Sequence, residues 1–412
     1  MNLAFQRKLD RHAGSFICRI LSLIHQKPGT NVNPVKVDKV LIILLSEMGS
    51  LVLAYPMFQR LKEKYRDAEI YALVFQKNRE ALEIMDIMPR ENILTICDDS
   101  LMTFVKDIFI IVRNIREIKF DAVIDCELFA RIGSILSFMS GAGIRVGFDP
   151  YTQEGLYRGN FINSPVLYNP YQHISKQFTT LVEAIESNSL PKAKQMSTDV
   201  NFTIPPVKLD ENEILKMRQR LYGDFPDVAD KKLVLVSPGA GILPIRAWPL
   251  DYYCLLSKAL IETGYAVGII GLESDKQLAY EILSCCGSSC CIDLTGYTKS
   301  IRELLLLFEL SSLLIANDGG HSQLSALTRI SSIIFFGPET PVLYGPLNEQ
   351  ASVLFASVTC SPCLTAYNHR NSACDGNNLC LKCIQPDQVL TRALEMLGVR
   401  ETNMKAHAID LS

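Results

Sequence analysis

Ala316-Asn317-Asp318-Gly319-Gly320-His321-Ser322-Gln323 is the stretch on which the fold turns. The run Leu313 to Ala316 is apolar and reads as a buried strand, while Ser322 to Thr328 reads as a helix. The two glycines therefore stand where a strand hands over to a helix N-terminus. Free backbone N–H groups and the positive end of a helix dipole gather at such a place, and both favour a diphosphate. The competing reading is a plain cap, with Asp318 or Ser322 as N-cap and nothing bound. A second loop, Phe336-Gly337-Pro338, ends the next apolar run, Ser332 to Phe336, and would lie beside the first at one sheet edge. That pairing favours the ligand-binding reading.

Working outward, apolar strands alternate with amphipathic helices from Lys39 onward. Strands are expected at 39–45, 69–75, 93–97 and 121–125, with helices near 51–65, 79–87, 101–118 and 130–140. A second series of strands is expected at 233–236, 266–270, 290–294, 313–316 and 332–336, beyond a polar, proline-bearing stretch from Ser187 to Asp210. Such alternation predicts parallel sheets wound on both faces. The loops Ser46-Glu47-Met48-Gly49 and Ser237-Pro238-Gly239 each follow the first strand of a half, and in open α/β sheets ligands bind beyond the carboxyl ends of strands. The expected domains are an amphipathic arm over 1–36, a first parallel-sheet domain over 37–205 and a second over 206–400, which holds a Cys-rich loop over 360–383.

Composition bounds the rest. A chain of 412 residues suits two cores rather than one. A net charge of −3 argues against a dedicated nucleic-acid binder. No apolar run reaches the ~18 residues of a membrane span, and no signal-peptide pattern opens the chain, so a cytoplasmic protein is expected. In the arm, Phe16, Ile17, Ile20, Leu21 and Ile24 fall on one helical face, and residues 1–27 carry Arg7, Lys8, Arg11, Arg19 and Lys27 against the single acid Asp10, for a net +4. Such a segment suits peripheral contact with an anionic membrane; packing of its apolar stripe on the protein's own body is the alternative. A nicotinamide-dependent reading is weak, because no G-x-G-x-x-G follows the first strand.

The glycine loops, together with Val40-Leu41-Ile42-Ile43-Leu44-Leu45-Ser46-Glu47-Met48-Gly49, Asp121-Ala122-Val123-Ile124-Asp125, Ser237-Pro238-Gly239-Ala240 and Arg246-Ala247-Trp248-Pro249, resemble glycosyltransferase family 9, the lipopolysaccharide heptosyltransferases. Family order and spacing are kept from about residue 38 to 395. The resemblance implies a GT-B fold, in which two Rossmann-like parallel-sheet domains face a central cleft. It also implies metal-independent, inverting transfer of heptose or a related sugar from a nucleotide diphosphate, ADP-linked, to a lipopolysaccharide-core or other envelope glycan or lipid acceptor. The alternative function is a catalytically inactive GT-B-like binding or scaffold protein.

Transfer from a nucleotide diphosphate needs a base for the acceptor hydroxyl and positive charge for the departing diphosphate. Arg246, which aligns with the family's basic residue two positions before the Trp-Pro pair, is the expected cation. Ser237, Gly239, Asn317, Asp318, Gly319, Gly320, His321, Gln323 and Gly337 complete the expected donor site, with Glu273, after the second strand of its half, as a ribose-binding acid. Trp248 is expected to pack an interdomain hinge. On the acceptor side stand Ser46, Gly49 and Ser50. The family's catalytic aspartate directly follows the glycine of that loop, and here the position is Ser50, whose hydroxyl is too weak an acid to act as a base unaided. Glu47 and Glu127 are the carboxylates in reach of the role. The family's histidine near the donor-loop helix aligns with Gln323, while His321 stands two places earlier.

Cys360-x2-Cys363 and Cys374-x5-Cys380-x2-Cys383, with His369 between them, form the last pattern. Two C-x2-C pairs are a zinc signal; structural zinc, a disulfide and free thiols remain open here. No cofactor is expected in the chemistry itself.

Overall fold

The structure, a computed structural model, describes residues 3–24, 36–45, 47–128, 130–148, 157–189, 191–194, 204–241, 243–365, 368 and 371–398. The chain divides into two compact units. One holds Met1–Ile204, Val342–Leu347 and Pro362–Ala373, and the other Pro205–Pro341, Asn348–Ser361 and Cys374–Ser412.

The first unit carries a six-stranded sheet of β1 (Lys39–Ile43), β2 (Glu69–Phe75), β3 (Ile93–Ile96), β4 (Ala122–Asp125), β5 (Ile144–Phe148) and β6 (Ser164–Val166), in the order β3-β2-β1-β4-β5-β6. Every pairing is parallel, with Leu41 opposite Tyr71 on one side and Val123 on the other. The central strands are buried on both faces, which is why β1 reads Lys-Val-Leu-Ile-Ile without alternation. The second unit repeats this topology with β7 (Leu233–Ser237), β8 (Ala266–Gly271), β9 (Cys291–Thr295), β10 (Leu313–Asn317), β11 (Ser331–Phe336) and β12 (Ala351–Phe355), in the order β12-β11-β10-β7-β8-β9. In each sheet strand order reverses between the first and fourth strands, so the loops leaving β1 and β4, and those leaving β7 and β10, flank a switch point.

Three strands went unread in the sequence. β6 is three residues with Pro165 at its centre, a residue confined to edge strands because it cannot donate to a ladder, and β5 is interrupted by Arg145 and Gly147. β12 is a half-buried edge strand. The helix expected at 51–65 is two, Met48–Leu53 and Tyr55–Lys64, joined at Ala54. Trp248 packs inside the second unit's core rather than a hinge, stacked on Phe335 at 4.6 Å and donating from Nε1 to the Ile384 carbonyl.

The arm is helical over Leu3–Leu9 and Ser15–Ile24, and it docks on the face that carries Gly14, Cys18 and Ser22 rather than on its apolar stripe, which sets aside packing of the stripe on the body. Gly14 packs against Arg131, Cys18 is fully buried with Ile135 and Phe161, and Ser22 hydrogen-bonds Tyr157 across 2.7 Å. Asp10 caps the helix Arg131–Met139, accepting from the Arg131 amide at 2.8 Å and pairing with its guanidinium at 3.1 Å. Phe16, Ile17, Ile20 and Leu23 are left exposed.

Candidate functional site

The donor-side residues meet at the carboxyl ends of β7 and β10. Asn317, the last residue of β10, is buried and knits the two loops: Nδ2 donates to the Pro238 carbonyl at 2.9 Å, and Oδ1 accepts from the Trp248 amide at 2.9 Å and the Tyr253 hydroxyl at 3.0 Å. Arg246 is thereby held beside Asp318, with Nη1 3.2 Å from Oδ2. The residue is 8% exposed, and among the described residues its Nε hydrogen has no partner. A buried donor left unpaired is costly.

A Cβ on Gly320 would meet nothing within 4 Å, and one on Gly319 only the Asn317 carbonyl at 3.9 Å. Gly319 has an extended backbone at φ 173°, which any residue adopts. Among the described residues, neither strain nor protein packing requires these glycines. The helix that follows, Gly320–Ser325, has six residues rather than the expected Ser322–Thr328, so its dipole is short.

Ser237 Oγ lies 2.7 Å from His321 Nδ1. Burial holds the imidazole below the ordinary histidine range, with Asp275 opposing the shift, so the ring is neutral near pH 7. Asp275 fills the space beside Gly239 and Gly271 and accepts from the Leu272 amide at 2.8 Å. Tyr253 and Asp275 had no signal in the sequence; both act through contacts that only the sheet topology brings together. Glu273 is exposed, packs against Gly296 and pairs with Lys276. Gln323 is buried in the helix. Gly337 has a packing reason of its own, because a Cβ there would come 2.9 Å from both Cys380 Sγ and Leu381.

On the first unit's sheet the loops leaving β1 and β4 stand together. Glu47 precedes the helix Met48–Leu53 in an extended conformation, makes no capping bond to it, and is half-buried; Gly49 and Ser50 lie in its first turn. Ser46 falls outside the described residues. Glu127 is 1% exposed and accepts from the Leu45 amide at 2.6 Å. Beneath it, Arg158 donates to Asp125, to the Glu127 carbonyl at 2.5 Å and to the Ala130 carbonyl at 2.9 Å. Burial raises the Asp125 carboxyl to about 6, Arg158 opposing and Glu127 adding to the shift.

Among the described residues the cysteine pattern gathers no metal-binding cluster. All thirteen cysteines are free thiols, and among the described residues no group of three or more His, Cys, Asp or Glu could hold an ion. Cys380 is turned into the core against Gly337, Cys374 faces Asp375 and Asn378, and Cys360 and Cys383 are exposed. Cys363 accepts from Ser372, and His369 falls outside the described residues.

Residues 108–373 match the family description "Glycosyltransferase family 9 (heptosyltransferase)". The chain belongs to glycosyltransferase family 9. It is similar to lipooligosaccharide heptosyltransferase 2 of Haemophilus ducreyi, 23% identical over 321 residues covering 77% of this chain and 88% of that protein. Among solved structures, the E. coli ADP-heptose lipopolysaccharide heptosyltransferase II superposes with a TM-score of 0.66 at 19% identity, over 87% of this chain and 98% of that one. The family 9 glycosyltransferase of Veillonella parvula gives 0.68 at 18%, over 88% and 98%. The two parallel six-stranded sheets are thus those of the GT-B fold, and this family 9 member is a heptosyltransferase-like glycosyltransferase. Among the described residues no helix is long and apolar enough to cross a membrane.

Proposed function

We propose that this enzyme transfers heptose from an ADP-linked donor, with inversion, to a lipopolysaccharide-core acceptor at the inner face of the cytoplasmic membrane. The observation that carries the donor half is the buried, partly unpartnered Arg246 guanidinium beside Asp318-Gly319-Gly320 at a sheet switch point. The relatives, an ADP-heptose heptosyltransferase and a lipooligosaccharide heptosyltransferase, support the choice of sugar and acceptor.

In this reading Asp318 orients the guanidinium and the diphosphate takes its remaining edge together with the open loop at Gly319 and Gly320. Asn317, Ser237, Gly239 and His321 shape that loop, and Gln323 supports it from the helix; Glu273 offers the ribose its carboxylate. Glu47 removes the acceptor hydroxyl's proton as the oxygen attacks the anomeric carbon from the side opposite the diphosphate. The bond from that carbon to the diphosphate oxygen breaks, and Arg246 takes up the charge of the departing ADP, so the step requires no metal. Glu127, tied to the Leu45 amide, is cast as the carboxylate that positions the loop carrying Glu47, with Ser50 and Gly49 lining it.

Thermal stabilisation by a panel of nucleotide sugars, followed by turnover with the one that stabilises most, tests the reading. ADP-heptose should give the largest shift and be consumed in the presence of lipopolysaccharide-core acceptor. Binding without consumption would favour the inactive binding protein instead.

A further inference from the structure

The helix Leu101–Ile118 packs one apolar face on the core, and its outer face carries apolar side chains among its charged ones. Phe104, Ile108, Ile111, Val112 and Ile115 pack against the first unit's core, yet Met102, Val105, Phe109 and Ile110 face water, Met102 at 84% and Phe109 at 72% exposure. Contiguous exposed apolar patches mark interaction sites.

The arm presents a second such face, with Leu23 at 89% and Phe16 at 65% exposure beside Ile17 and Ile20. Both faces flank one helix, Arg131–Met139. Its Ile132 and Leu136 pack with Ile111 and Ile115, Arg116 donates to the Met139 carbonyl at 2.9 Å, and the Met139 side chain packs with Leu21 and Cys18 of the arm. A further tie, from Gln6 to Asp98 at 2.9 Å, joins the arm to the turn entering Leu101–Ile118.

The charges around these faces select the partner. Lys8, Arg11 and Arg19 are exposed on the arm, while its acid, Asp10, is spent on Arg131. Lys106, Arg113, Arg116 and Lys119 are exposed on or next to Leu101–Ile118. The acids there are Asp98, which takes Lys77 and Gln6, Asp99 at the helix entry, Asp107, which accepts from the Cys97 amide, and Glu117, which pairs with Arg113. Apolar side chains rimmed by long basic ones suit a surface with an acyl interior and anionic headgroups.

We propose that the outer faces of Leu101–Ile118 and of the arm together form a docking surface for an anionic lipid bilayer, the arm being clamped to the body by Asp10, Cys18 and Ser22 rather than lying free. The surface deepens the reading of a lipid-borne acceptor and rests on that reading only for its purpose, since it would bring the enzyme to the layer that carries the acceptor.

The test uses the full chain with vesicles of phosphatidylcholine alone or mixed with phosphatidylglycerol. Wild type should sediment with the anionic vesicles, weakly with the neutral ones, and less at high salt. The pairs Met102→Ser with Phe109→Ser, and Phe16→Ser with Leu23→Ser, should each reduce the bound fraction by about tenfold, because insertion scales with the apolar area buried. Donor affinity and transfer to a delipidated, water-soluble acceptor should be unchanged in both, which shows the variants folded. Wild type left in the supernatant with anionic vesicles, or variants that sediment as well as wild type, would overturn the proposal. So would light scattering that shows a dimer broken by these substitutions while no form binds vesicles; the face would then be a contact between copies. Loss of turnover on soluble acceptor by wild type, with vesicle binding intact, would instead count against the transferase reading alone.

Discussion

Glu127 Oε1 accepts a 2.6 Å hydrogen bond from the Leu45 amide, so the loop leaving β4 holds the loop leaving β1 at the first unit's switch point. Glutamine at 127 keeps an acceptor oxygen there and should leave turnover close to wild type. Alanine leaves a buried amide unpaired and should lower stability by about 1–3 kcal/mol in a urea titration. A fall in turnover of about 10²–10⁴-fold in Glu127→Gln would transfer the base role to Glu127.

Arg246→Ala should weaken ADP-heptose binding by about 1.5–3 kcal/mol, the range for charge-assisted hydrogen bonds. Arg246→Lys keeps the charge but loses the planar fork and should fall between the two. Unchanged affinity by calorimetry would remove the guanidinium from the donor site.

Gly337→Ala separates packing from binding. Its new methyl would press on Cys380 Sγ and Leu381 at 2.9 Å, so stability should drop by about 1–3 kcal/mol while donor affinity holds. Lost affinity at unchanged stability would return Gly337 to the donor site.

The central architecture was legible because buried parallel strands are written as continuous apolar runs, and Gly319-Gly320 and Ser237-Pro238-Gly239 mark their carboxyl ends. The edges were not: β6 with Pro165 and the half-buried β12 lack that signature. The arm's two readings could not be separated for a different reason. Its apolar stripe fits burial as well as a membrane, and only the structure shows that the body accepts the small residues Gly14, Cys18 and Ser22, which allow close approach, and leaves Phe16 and Leu23 outside. Within the site, Arg246 and Asn317 were visible as motif residues, whereas Tyr253 and Asp275 owe their places to strand order. Cys-x2-Cys spacing suggested metal, yet spacing does not record that Cys380 is drawn into the core.

His321 supplies a pH dependence. Its folded pKa lies below the free value of 6.5, so the unfolded chain binds the proton first as pH falls. Its contribution to stability is therefore present above about 6.5 and lost as pH drops from there through the lowered folded value. Between pH 7.5 and 5.5 the melting temperature of His321→Gln should fall less than that of wild type. An equal fall in both would mean that the imidazole titrates normally in the folded chain.

In the proposed mechanism Glu47 does the work that the family gives to the position occupied here by Ser50, and turnover of ADP-heptose by Glu47→Gln, measured beside its donor affinity, decides whether it does. The substitution keeps size and hydrogen bonding but removes the proton acceptor, so turnover should fall by roughly 10²–10⁴-fold with affinity nearly unchanged. Full turnover by Glu47→Gln would contradict the account.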